Sequence, residues 1–202
     1  MNARSPRGIW RAFLPFDGAV ELGDGRSVVS VAFQQAPDHP VDDVVVRAAR
    51  DDEMEPSLVL ALGVRRAPNL VQSNESTQKL IGDFVRSLIE APVGGPGHCV
   101  ALVVAGARPH GEQLSELAGL AAAQMDAASF FDLVRTPKKF AAAIHKRLDQ
   151  LVALVKQALI DLGIADPDVA LLHQRTWELL SRLPSRGQVH LRGGNHPRNH
   201  NN

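Results

Sequence analysis

Asp42 and Asp43 stand side by side at the start of an apolar segment, and Gly63 and Arg65 lie two residues apart in the next one. A strand places positions 63 and 65 on the same face, because its side chains alternate. Divalent metal ions take carboxylate oxygens as ligands, and a neighbouring basic side chain can bind a phosphate. Here Gly63 supplies no ligand, and Arg65 cannot release a proton near neutral pH. Asp42 and Asp43 are therefore candidate cation ligands and Arg65 is a candidate phosphate contact, on strands of which the second offers no carboxylate.

The stretch 41–183 resembles the N-terminal double-stranded-DNA endonuclease domain of bacterial anti-phage defence effectors, which are members of the PD-(D/E)XK superfamily. In that family an Asp-Asp-hydrophobic strand precedes a strand that carries Gln-x-Lys or Glu-x-Lys, and helices follow. Asp42 and Asp43 match the acidic pair, and Gly63-Val64-Arg65 occupies the Gln-x-Lys position. For the early Glu of the family, Glu21 is the available candidate.

The resemblance implies that Asp43 and Arg65 are the catalytic positions. Asp43 and Asp42 would be ligands of Mg²⁺ or Mn²⁺, with Asp43 favoured because it directly precedes the hydrophobic strand. Since the set is incomplete, we expect a degenerate or weakly active endonuclease-like domain that binds double-stranded DNA. The expected protein partner is a second copy of the chain, or an ATPase or sensor region outside this sequence.

Basic side chains supply the candidate contacts to DNA. Backbone phosphates need positive charge but no base-specific geometry. The candidates are Arg65, Arg66, Lys138, Lys139 and Lys146, the last three in a basic run that also includes His145 and Arg147. Each group has a plainer interpretation. In that interpretation, the Asp pair and the Arg pair are ordinary solvent-exposed residues at strand ends, and the basic run is the solvent-exposed side of an amphipathic helix.

The composition narrows the class of protein without deciding the function. The 202 residues contain 22 basic and 22 acidic residues, so the formal net charge of zero argues against a constitutive nucleic-acid coat but permits a local basic groove. The single cysteine, Cys99, fits a reducing cytoplasm and a buried strand thiol. No segment reaches the ~20 apolar residues of a membrane span, so we expect a soluble, cytoplasmic protein.

Strand and helix patterns alternate in the N-terminal half. Alternating or continuous apolar runs predict strands at 26–34, 41–47, 58–64 and 98–105, the last one buried on both faces. A helix is predicted over 74–90, capped by Ser73 or Asn74 and followed by a turn. The strand-helix-strand order predicts at least one parallel pair. The fold class is therefore α/β, with a small mixed sheet of three to four strands packed by long amphipathic helices of the C-terminal half.

Apolar residues at spacings of three and four predict helices over 112–134, 138–162 and about 167–183 in the C-terminal half. Pro137 and Gly163 mark the two ends of the middle helix, and Asp166 with Pro167 marks the start of the last one. The same spacing places Met125 on the apolar face of the first of these helices, over 112–134.

The predicted organisation has three parts. Residues 1–26 form an irregular lead-in that Trp10, Phe13 and Phe16 can anchor, residues 27–184 form the endonuclease-like domain, and residues 185–202 form a disordered tail. The change of composition after Pro184 suggests a truncated or frame-shifted end. The rival to a nuclease is a non-enzymatic interaction module, in which the Ala-rich helices associate with another copy or another protein.

Overall fold

A computed structural model describes residues 25–34, 39–41, 43–65, 70–91, 97–104 and 109–183. The candidate residues Glu21, Asp42 and Arg66, most of the lead-in and the tail lie outside the described residues. In chain order the elements are β1 (Ser27–Phe33), β2 (Val44–Ala49), β3 (Leu58–Arg65), α1 (Glu75–Ile89), β4 (Gly97–Val104), α2 (Pro109–Ala122), α3 (Ala127–Val134), α4 (Ala142–Asp161) and α5 (Val169–Ser181).

The four strands form one mixed sheet in the order β1-β2-β3-β4. The pairs β1/β2 and β2/β3 are antiparallel, and β3/β4 is parallel because α1 connects these two strands. This arrangement confirms the predicted α/β class and the parallel pair. It also brings the carboxyl ends of β3 and β4 to one edge of the sheet, where ligands of open α/β sheets usually bind.

The helices pack on one face of the sheet. Ala61 of β3 and Val100 of β4 are fully buried there in a core that includes Leu80 and Phe84 of α1. The other face carries a smaller apolar cluster, which within the described residues consists of strand residues alone. Val103 lies on that face and is 44% exposed. The prediction that β4 is buried on both faces was therefore wrong at this end.

Helix α1 agrees with its sequence pattern in its start and its buried face. Asn74 is the N-cap, and its side chain accepts a hydrogen bond from the backbone N–H of Thr77 at 3.0 Å. This satisfies one of the donors that a helix start leaves without an intrahelical partner. Leu80, Ile81, Phe84 and Val85 are buried, as predicted.

The single helix predicted over 112–134 is two helices, α2 and α3, because the chain breaks between them. Asp126 has extended backbone, and its carboxylate accepts from the backbone N–H of Ser129 at 2.7 Å. A local cap therefore overrides a continuous apolar period. Met125, predicted to be apolar core, is 92% exposed.

The last two helices start later than predicted. Lys138 has φ 62°, a left-handed conformation that helices exclude, so α4 begins at Ala142. Asp168, not Asp166, caps α5 by accepting from the N–H of Leu171 at 2.7 Å. Gly163 has φ 91° just past α4, as its position predicts for a residue that must be left-handed.

Candidate nucleic-acid interface

Asp43 lies one residue ahead of β2, beside the carboxyl end of β3. Val44 pairs with Leu62, so the register brings Asp43 level with the last residues of β3. Its Oδ2 accepts a hydrogen bond from the backbone N–H of Val64 at 2.7 Å. The backbone contact fixes the carboxylate at the edge of the sheet, where its side chain is 33% exposed.

Arg65 ends β3 and contacts Asp43 directly. Its Nη1 donates to Asp43 Oδ2 at 2.5 Å and to the carbonyl of Val64 at 2.7 Å. Every hydrogen bond that Arg65 makes to a described residue uses this one nitrogen, which leaves Nε and Nη2 for another acceptor. With 29% of the side chain exposed, the guanidinium can donate to a phosphate while it stays paired with Asp43.

Gly63 faces α1, and this explains why the position carries no side chain. A Cβ added there would lie 2.5 Å from Leu80 Cδ1 and 3.0 Å from Phe84 Cζ, and both of these side chains are buried. A Gln or Glu in this position would have to displace the helix. The absence of a side chain at position 63 thus follows from the packing of β3 against α1.

The described residues do not by themselves make a divalent-cation site. Asp43 is the one carboxylate that they place at this edge among the predicted ligands, and its Oδ2 already accepts from two donors. No group of three or more His, Cys, Asp or Glu that could hold a metal ion occurs within the described ranges. Binding of Mg²⁺ or Mn²⁺ would need Asp42 or phosphate oxygens as further ligands, and it stays a prediction.

The basic run is split by the fold. Lys138 and Lys139 lie in the turn ahead of α4, and Lys146 lies on the second turn of α4. All three side chains are exposed. Arg147 differs from these lysines, because it is only 5% exposed and therefore does not belong to the solvent-exposed side of the helix.

Arg147 connects the segment that leads into α1 with the N-terminal half of α2. Its Nη1 donates to the carbonyl of Leu70 at 2.5 Å, and its Nε donates to Gln113 Oε1 at 3.2 Å. Burial lowers the pKa of its guanidinium from the ordinary value. The sequence pattern places Arg147 on a solvent-exposed surface, because helical spacing shows which residues are neighbours along α4. It does not show that Leu70 and Gln113, which lie elsewhere in the chain, contact Arg147.

The remaining candidates have structural explanations. Cys99 lies half-buried in β4, where burial raises the pKa of its thiol, so the unreactive neutral form dominates near neutral pH. Of the small residues predicted to allow helix association, Ala118 and Ala121 are buried in the chain's own core, whereas Ala122 and Ala123 are exposed. Self-association stays a prediction.

Within the described residues, no helix has both the length and the apolar character to cross a membrane. No family model matches the sequence, and neither a curated protein nor a solved structure matches it.

Proposed function

We propose that this chain is a degenerate or weakly active endonuclease-like domain that binds double-stranded DNA at the carboxyl edge of β3. The observation that carries the proposal is the contact between Asp43 and Arg65, which the register of β2 and β3 brings together at that edge. A carboxylate can serve as a cation ligand and a guanidinium can bind a phosphate, so the pair supplies two of the groups that a phosphodiester site uses.

The chemistry of the pair favours binding over cleavage. Arg65 offers two nitrogens to a phosphate oxygen, but a guanidinium does not serve as a general base as the lysine of a nuclease can. Gly63 supplies no third ligand, and the packing of Leu80 leaves no room for one. When bound, Mg²⁺ or Mn²⁺ would polarise the phosphate and supply an activated water. The residues of this chain hold the phosphate in place.

The proposal is tested by the binding of a short DNA duplex to the whole chain, followed by fluorescence anisotropy at several salt concentrations. Arg65→Ala is expected to weaken binding and to lower the slope of log K against log salt by about 1, the loss of one phosphate contact. Arg86→Ala is the matched control, because Arg86 is an exposed arginine in the last turn of α1, whereas the chain enters the first turn of α1 from the carboxyl end of β3. Equal affinity and equal slope for Arg65→Ala and Arg86→Ala would count against the proposed site.

A further inference from the structure

A groove lies where the start of α4 meets α2 and the segment that leads into α1. Its volume is about 260 Å³, enough for a phosphate group and its hydration. Most of its exposed lining surface is apolar, but four of the six lining residues carry polar or basic side chains; the lining residues are Val71, Gln113, Ala143, Lys146, Arg147 and Gln150. The groove contains no carboxylate among these residues.

Arg147 gives the groove a buried positive charge that no described acidic residue neutralises. Its hydrogen bonds go to a backbone carbonyl and a side-chain amide, both neutral groups, and they use Nη1 and Nε. Buried charges are normally paired, because removal from water is costly. A guanidinium held by two neutral acceptors at the wall of a groove is therefore arranged to receive an anion.

Two further features add positive potential at the same place. The N-cap of α4, Ala141, has no side-chain hydrogen bond, so the first-turn N–H groups beside Ala143 lack a side-chain cap. The start of a helix carries partial positive charge, which favours anions. Lys146 lines the groove and is exposed, and Lys138 and Lys139 lie a few residues ahead of α4.

We infer that this groove, the Arg147 groove, binds a phosphate group, with Arg147 and Lys146 as its cations and Gln113 as the residue that orients the guanidinium. Under the proposed function, on which this assignment of the source rests, the phosphate is a backbone phosphate of the DNA duplex. The same chemistry would hold a free phosphate or a phosphorylated small molecule.

The groove is within reach of the Asp43–Arg65 edge. Leu70, whose carbonyl Arg147 contacts, follows Arg65 by five residues, and five residues span at most about 18 Å. The major groove of B-DNA is about 12 Å wide, so phosphates on one duplex can reach both places. The Arg147 groove would then supply a second anchor that positions the duplex at Arg65.

The test uses Gln113→Glu, which places a carboxylate beside the Arg147 guanidinium and neutralises it without removing it. Lys146→Gln removes the exposed cation. Lys156→Gln is the matched control, because Lys156 is exposed on the same helix, ten residues or about 15 Å further along. Each full-length variant is compared in two assays, thermal unfolding in sodium phosphate against sodium chloride at equal ionic strength, and binding of a short DNA duplex.

Wild type and Lys156→Gln are expected to bind the duplex, and Gln113→Glu is expected to lose that binding while it still folds with an unchanged or higher Tm in chloride. Lys146→Gln should lower the salt slope of duplex binding by about 1. A phosphate-dependent rise in Tm that Gln113→Glu abolishes, in a chain that binds no duplex, would support a site for small phosphates and refute the proposed function.

The inference is overturned when Gln113→Glu and Lys146→Gln match Lys156→Gln in both assays. In that case a loss of duplex binding by Arg65→Ala would leave the proposed function standing, so the two failures are distinguishable.

Discussion

Gly63→Ala tests how closely α1 approaches β3, and therefore why position 63, which the family resemblance would make a ligand position, carries a glycine. The new Cβ would lie 2.5 Å from Leu80 Cδ1 and 3.0 Å from Phe84 Cζ. Leu80 is 2% exposed and Phe84 is 1% exposed, so neither side chain can move out into solvent. A methyl group forced into a packed core costs about 1–3 kcal/mol.

Part of that cost is offset in the unfolded chain. Replacement of Gly by Ala reduces the conformational freedom of the unfolded state and stabilises by about 0.4–1 kcal/mol where the backbone conformation suits both residues. The φ of Gly63 is not positive, so this condition holds. We therefore expect Gly63→Ala to lower the free energy of unfolding by about 1–2 kcal/mol, measured by urea denaturation.

A double-mutant cycle isolates the contact. Leu80→Val removes the methyl group that lies closest to the new Cβ, so the pair of changes should be at least about 0.5 kcal/mol less destabilising than the sum of the single changes. Gly82→Ala is the control within α1, because a Cβ there meets nothing within 4 Å. It should stabilise by up to about 1 kcal/mol through helix propensity. If Gly63→Ala stabilised the protein as Gly82→Ala does, the close approach of α1 would be refuted.

Three further predictions concern charge and capping. Asp43→Asn should tighten duplex binding measured by anisotropy, because it removes a negative charge while the amide oxygen can still accept from the backbone N–H of Val64. Weaker binding would mean that the carboxylate itself contributes to the complex with DNA. Arg147→Met should change the free energy of unfolding in urea by less than about 1.5 kcal/mol, because the variant no longer buries a charge and this gain offsets the lost hydrogen bonds. A loss of several times that value would identify Arg147 as a structural residue. Asp126→Ala should lower Tm near neutral pH and have less effect in acid. The hydrogen bond from the backbone N–H of Ser129 lowers the pKa of Asp126, so the cap stabilises the protein above the ordinary Asp pKa and this stabilisation is lost as the pH falls through the pKa of the folded state. An equal change of Tm at both pH values would contradict this prediction.

The sheet and α1 followed from local patterns in the sequence. Strands β2 and β3 are apolar runs joined by a short charged linker, and Asn74 is a standard cap ahead of an amphipathic helix. The parallel pairing of β3 and β4 followed from the helix between them. These features depend on neighbouring residues, which a sequence displays directly.

The errors arose where two local signals competed or where distant residues meet. Around Asp126 the apolar period continues, but the side-chain cap ends one helix and starts another. At Arg147 the helical spacing indicated a wet surface, whereas contacts with Leu70 and Gln113, far away in the chain, bury it. Gly63 was noted as a missing ligand, but the reason for a glycine lies in Leu80 and Phe84, which no spacing rule connects to it.

Nicking of supercoiled plasmid with Mg²⁺ or Mn²⁺, measured beside a duplex titration for wild type and Asp43→Ala, decides whether Asp43 and Arg65 form a DNA-binding site with little or no nuclease activity. We expect wild type to bind the duplex and to nick the plasmid weakly or not at all, with any nicking lost in Asp43→Ala. Robust cleavage that survives Asp43→Ala would contradict the assignment of the site, and the absence of both binding and nicking would contradict the proposed function.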